Sequence, residues 1–283
     1  MSTLYWCVRR ELWENRWLYI VPLIVAAVSL LAFAAGVAHL PVRAPAGGSP
    51  VSQHLIKSAF DFSSGVLMLT YLVVGVIYCL EALHGERRDR SILFWKSLPV
   101  SDLTTVLAKA CVAILILPLI TFAIIVVTQG IMLLMGSAVL LGRGVNLTAL
   151  WVSVPLPQMW LAMLYHLMTV HALYYAPFYG WMLLVSGWAR RAAFLWAGLP
   201  VAAVLIIEKL VFNTNVFARI LLSRAAGGPA AIPFPPRGDM PMQAPTLANL
   251  GAFLASPGLW VGLAIFALFL AAAVRLRRYQ GPI

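Results

Sequence analysis

The sequence predicts an all-α integral membrane protein with six transmembrane helices, and three observations predict it. The 283 residues are 62% hydrophobic and only 10% charged, with a mean hydropathy of +0.92. A soluble domain carries roughly a quarter charged residues, so this chain could not cover itself with a wetted surface. Its apolar residues gather into six runs, each long enough for the ~20-residue helix that crosses a bilayer. Finally, thirteen of the twenty Lys and Arg fall in the segments that would share one side of the membrane, the side expected to be cytoplasmic.

Taken in order, residues 1–16 mix Tyr5, Trp6 and Trp13 with Arg9, Arg10, Glu11, Glu14 and Arg16. Apolar and charged residues separate imperfectly on a helical wheel, which predicts an interfacial helix. The first span is Trp17–Ala38; it is too long for the apolar part of a signal peptide and lacks a small-residue cleavage site, so it reads as retained. His39–Ala59, with PVRAPAGGSP, is expected to be an irregular loop. The second span is Phe60–Leu83 and the third Val106–Met135, where Pro118 is a kink site. The fourth is Trp160–Trp188, with Pro177 as its kink site. The fifth and sixth are Ala192–Phe212 and Phe253–Val274. Residues 213–252 form an outer loop, too rich in Pro and Gly through AAGGPAAIPFPPRGDMPMQAP for regular helix. Both termini and residues 84–105 are therefore expected on the cytoplasmic side.

Composition also excludes functions. The net charge of +11 would suit nucleic acid, but the basic residues lie between apolar runs, where they set topology and meet anionic lipid; no nucleic-acid partner is expected. Cys7, Cys79 and Cys111 are scattered, with no disulfide framework or CxxC pattern. HExxH, GxSxG and GxxxxGK[ST] are all absent, so no catalytic residue is assigned and no cofactor is expected on this chain. His166 and His171 share the fourth span, but five positions on an α-helix point them roughly 140° apart, which rules out a shared metal. Each is expected to bond a neighbouring helix. Glu81 is expected to pair with a nearby Arg or His84, and Glu208 and Lys209 to snorkel outward. Tyr165, His166, Thr169 and Tyr174, polar and near mid-span, are candidates to line a substrate path. Trp160 and Trp181 suit packing and an interfacial aromatic belt. An ion-coupled carrier would need an acidic group in mid-membrane, which the sequence barely offers. A membrane enzyme would have to use His166 or His171.

The stretch Glu81–Lys109, EALHGERRDRSILFWKSLPVSDLTTVLAK, is where charge, aromatics and a helix stop coincide. Ile92, Trp95 and Leu98 recur at every third position beside Leu93 and Phe94, giving a short helix with an apolar face. Pro99 ends it, and Ser101 and Asp102 offer side-chain oxygens to cap the next helix. This stretch resembles a permease subunit of the ABC-2 type transporter family, through Glu86, Arg87, Arg88, Asp89, Arg90, Ser91 and Ile92, then Leu98, Pro99, Val100 and Ser101, and lastly Lys109. Members show an acidic-basic pair, a Gly-Thr-like turn, an LPV-S element and a Lys entering the third span; here Asp89-Arg90-Ser91 replaces the turn.

The resemblance implies a coupling helix in residues 84–105 that docks on a separate ATP-binding cassette subunit, where ATP and Mg would bind. Docking would use Glu86, Arg87, Arg88, Asp89, Arg90, Ser91, Phe94, Trp95, Leu98 and Pro99, with the aromatics as buried anchors and the arginines facing acidic groups. It implies a second permease copy, the same or a paralogue, and an exporter of the bacterial-type inner membrane whose N-terminal segment is the family's connecting helix.

Overall fold

A computed structural model of the chain describes residues 3–38, 50–142, 156–227 and 247–281, all helices and short connections with no strand among them. Five helices are long and apolar enough to cross a membrane: Trp17–Val37, Ser58–Arg88, Asp102–Val139, Ala193–Phe212 and Pro257–Tyr279.

The N-terminal segment is helical, α1 (Thr3–Glu14), and runs into α2 (Trp17–Ala38) after a two-residue turn. Helix α3 (Pro50–Ala82) starts ten residues before the expected Phe60. The proline that looked like part of an irregular loop is its first residue, where a missing N–H costs nothing; residues 39–49 of that loop lie outside the described residues. At Leu83 the chain bends into α4 (His84–Arg88), and Arg90, at φ 57°, turns it into α5 (Ser91–Ser97). Leu98 is extended ahead of Pro99, as the residue before a proline prefers. Ser101 Oγ then accepts from Thr104 N at 3.1 Å and caps α6 (Asp102–Cys111).

Two long helices loosen at the same kind of place. Between α6 and α7 (Leu117–Gly142) the stretch Val112–Ile116 is π-helical and lies just ahead of Pro118. The expected fourth span is likewise α8 (Leu156–His166), a π-helical stretch Leu167–Tyr174, a break at Tyr175, and α9 (Ala176–Trp188) with Pro177 in its first turn. A proline removes one N–H and crowds the carbonyl four residues back, here Ile114 and Leu173, and the wider turn accommodates that crowding. The fourth helix is thus interrupted where a kink was expected.

Tyr71 joins the two loosened stretches. Its hydroxyl lies 3.4 Å from the carbonyl of Ala113 and 3.3 Å from that of His171, and it accepts from Tyr179 Oη at 3.1 Å. The main core surrounds it, with Leu67, Tyr78, Leu117, Leu167 and Leu183 all buried. Close approach is made possible by small residues, as in membrane helix packing generally. A Cβ on Gly75 would stand 3.3 Å from Tyr179 Cε1, and one on Gly180 would meet the Phe266 ring at 2.6 Å.

Helix α10 (Ala193–Ile207) continues through a π-helical turn to Phe212 and buries only Ala193 within the chain. Within the outer segment 213–252, which was expected to be irregular, α11 (Val216–Ala225) is a regular helix and α12 (Leu247–Ala255) begins before the segment ends. Most of its Pro- and Gly-rich part lies outside the described residues. The Glu208 carboxylate accepts from Thr214 Oγ1 at 3.0 Å and from the backbone N–H groups of Val216 and Phe217, closing the start of α11. The last long helix, α13 (Pro257–Tyr279), begins four residues later than expected, because Phe253 belongs to α12 and Pro257 opens a new helix. It also runs past Val274, so Arg275, Arg277 and Arg278 are helical.

Candidate functional site

The charged residues of α1, α4, α6 and α13 meet inside the protein. Each is placed by its helix. In α1, Cys7 and Glu11 are one turn apart on the buried face, so Glu11 is carried inward against α6. Lys109 faces it from the last turn of α6, Glu86 from α4, and Arg277 from the last turn of α13. Lys109 Nζ lies 2.8 Å from Glu11 Oε1 and 3.0 Å from Glu86 Oε1. Arg277 pairs with the other Glu86 oxygen and donates to Asp102 Oδ1 at 3.1 Å. Arg10 reaches Glu11 at 2.8 Å and Glu86 at 3.4 Å, while Tyr78 Oη donates to Glu11 Oε2 at 3.1 Å.

Three carboxylates and three cations meet here, and the more exposed Glu14 joins at the rim through Arg10 at 3.5 Å. Glu11 is 1% exposed, Lys109 2% and Arg277 4%. Charges so far from water are stable only when paired and hydrogen-bonded, and removing one partner of such a set costs about 3–5 kcal/mol. The cluster ties four helices into one body at one end of the bundle.

A second set of contacts fixes the same end through helix carbonyls. Ser186 Oγ accepts from Leu83 N and His84 N, both at 2.9 Å, at the α3–α4 bend. Arg87 Nη1 donates to the carbonyls of Gly187 at 2.6 Å and Ala189 at 3.3 Å, and its Nε to that of Gly281. Lys96 Nζ donates to the carbonyls of Arg278 and Gln280. Cations belong at helix C-termini, where carbonyls lack partners and the dipole is negative. Here Arg87 closes α9 and Lys96 closes α13.

The expected docking residues consequently divide. Glu86 and Arg87 are buried and serve as internal supports, so they are corrected out of the surface set. Ser91 and Trp95 are half-buried, and Ile92 is the inward anchor of α5. Arg88, Asp89, Arg90, Phe94, Leu98 and Pro99 are exposed. Arg88 pairs with Glu81 at 2.8 Å and with Asp89 at 3.2 Å. Trp95 lies under Arg10, whose guanidinium carbon is 3.5 Å from the ring centroid, a cation–π contact. Between α1 and α5 is an apolar cleft of about 180 Å³ lined by Trp6, Cys7, Arg10, Trp95, Leu98, Val100 and their neighbours.

The residues expected along a substrate path are only partly together. Thr169 Oγ1 is spent on the Tyr165 carbonyl at 2.7 Å, and Tyr174 packs on Phe253 and Leu259. His166 and His171 overturn the angular expectation: their ring centroids are 5.1 Å apart. The wider turn of Leu167–Tyr174 brings positions five apart onto one side. The expected bond to a neighbouring helix is missing at His171 Nδ1, which is buried and unpartnered, as is the hydroxyl of Tyr165. Among the described residues no group of three or more His, Cys, Asp or Glu is placed to hold a metal ion, and the cysteines there are free.

Sequence reasoning missed Glu11 and Arg277 as members of the cluster. A signal existed for Glu11: it follows Cys7 and Val8 on one helical face, a lone carboxylate in an apolar stripe. Arg277 carried none, since its partners are about 175 and 191 positions away. Comparisons with family models, curated proteins and solved structures find no match.

Proposed function

We propose that this chain is the membrane-spanning permease subunit of an ATP-driven exporter, with ATP hydrolysed by a separate ATP-binding cassette subunit docked on α5. One observation carries the reading. A short helix with exposed Leu93, Phe94 and Leu98 stands at the end of an apolar bundle, bound through α4 to a buried ion cluster that reaches α1, α6 and α13. Force applied to α5 is passed directly to several long helices. A solvated loop would be tied to nothing of the kind.

Other features support the same reading. The chain has no GxxxxGK[ST] of its own. The broken helix pair α8–α9 returns to the charged end, since Gly187 there meets Arg87, and it supplies a sixth crossing beside the five unbroken ones. With six crossings, the Lys and Arg bias puts both termini and α5 in the cytoplasm. Helix α10, apolar and almost wholly unburied within the chain, needs lipid or protein on its faces, which suits assembly with a second permease copy. The motion of the cassette subunits on binding ATP would enter through α5 and be taken up where α7 and α9 are loosened.

The test is co-purification in mild detergent with the ATP-binding protein encoded beside this chain, comparing the wild type with Trp95→Ala and Arg90→Glu. A stable complex weakened by both changes is expected. Undiminished binding by both variants would remove α5 from the docking role, and no complex from a folded preparation would point to a carrier working alone.

A further inference from the structure

At the end of the bundle away from α5 one half-buried cation has no carboxylate partner among the described residues. Arg224, in the last turn of α11, is half-buried and has no ion pair among the described residues. Its Nη1 donates to the Tyr174 carbonyl at 3.1 Å, its Nη2 to that of Gly258, and its guanidinium carbon lies 4.6 Å from the Tyr174 ring centroid. A guanidinium carries five N–H donors, so three are left over among the described residues. Phe253, Leu259 and Tyr174 form a buried apolar cluster behind it, edged by half-buried Leu263, while Leu254, Trp260 and Val261 at the same end are exposed and make an apolar wall.

Its depth follows from α13. Gly258 is in the first turn, and Leu276, eighteen residues on, packs near Gly187 at the charged end. At 1.5 Å per residue that is roughly 27 Å, close to the ~30 Å hydrocarbon thickness, which sets Arg224 at headgroup level on the far side. A polar chain leads inward from it. Tyr175 donates to the Ala225 carbonyl, and its ring is 5.2 Å from that of His171. Nδ1 of His171, a side chain 8% exposed, has no partner.

We propose that Arg224, with Tyr174 and the apolar residues beside them, binds a phosphate-bearing amphiphile, the phosphate on the spare guanidinium donors and the chains along Leu263 and the exposed Leu254, Trp260 and Val261. The charge selects an anion, and the wall selects an apolar body over a bare ion. Named as the substrate class of the permease, this rests on the reading above; as a binding site it does not.

The experiment uses the purified chain alone, in neutral detergent, and reads its thermal unfolding midpoint. Dihexanoyl phosphatidic acid is expected to raise the midpoint by roughly 3 °C or more at saturation, with no rise from inorganic phosphate or dihexanoyl phosphatidylcholine. The rise should vanish in Arg224→Gln and persist in Arg219→Gln, an exposed arginine on the same helix. Gly262→Ala gives a second route should Arg224→Gln not fold. Its new methyl would collide with the Arg224 guanidinium and should weaken the response while the charge stays. An equal rise from inorganic phosphate would reduce the site to one for a free anion. An equal rise from phosphatidylcholine, or one that survives both Arg224→Gln and Gly262→Ala, would overturn the proposal. No cassette subunit takes part, so a failed docking experiment leaves this result standing and removes only the word substrate.

Discussion

The two ends of this bundle treat charge in opposite ways. At one end Glu11, Glu86, Lys109 and Arg277 are buried against each other, with Arg10 and Asp102 half-buried at their edge. At the other, Arg224 rests on two carbonyls and a tyrosine ring. The first arrangement spends nearly all of its donors and acceptors internally, and its contribution is rigidity. The second keeps donors unspent among the described residues, and its helices α11 and α12 are short. Stiffness and availability are separated along the long axis, an arrangement that suits the proposed permease.

The largest test of that contrast is Lys109→Met, which strips the shared cation from Glu11 and Glu86. Stability should fall by about 3–5 kcal/mol, read as loss of folded, monodisperse protein or a large drop in unfolding midpoint. Glu86→Gln and Arg277→Gln should each destabilise, and the double variant should be less damaged than their sum by roughly 0.5–3 kcal/mol; strict additivity in the cycle would mean that the pair does not act as a unit. Trp95→Ala should leave insertion and folding nearly unchanged but weaken docking of the cassette subunit by about 1–4 kcal/mol, seen as faster dissociation. Ser101→Ala, which removes one cap from α6, should lower stability by about 1 kcal/mol. Arg88→Gln, wholly at the surface, should leave the midpoint unmoved despite its two ion pairs. A large drop there would blur the line between inner supports and outer surface.

Much of the architecture was legible because helix length and apolar content suffice to mark a helix that fits a bilayer, and Trp17–Ala38 was read to the residue. Ser101 and Pro99 likewise did what their chemistry dictates within a few positions. The failures came where a proline has two uses. Pro50 and Pro257 begin helices, whereas they had been read as loop or as part of a longer run, and Pro177 accompanies an interruption larger than a kink. The ion cluster was half legible. Glu86 and Lys109 stood out locally, but whether a charged residue points outward or inward depends on Glu11 and Arg277, which only the folded chain brings near. The same ignorance of partners put Glu86 and Arg87 on the docking surface, and the 3.6-residue helix assumed for His166 and His171 hid their juxtaposition.

The hydroxyl of Tyr71 has a single proton, and two helices ask for it. Ala113 and His171 belong to the two π-helical stretches, and neither carbonyl can claim the bond outright while both stay at comparable distance. One donor is thus shared by the carbonyls of both π-helical stretches, and a single tyrosine side chain links the two loosened helices.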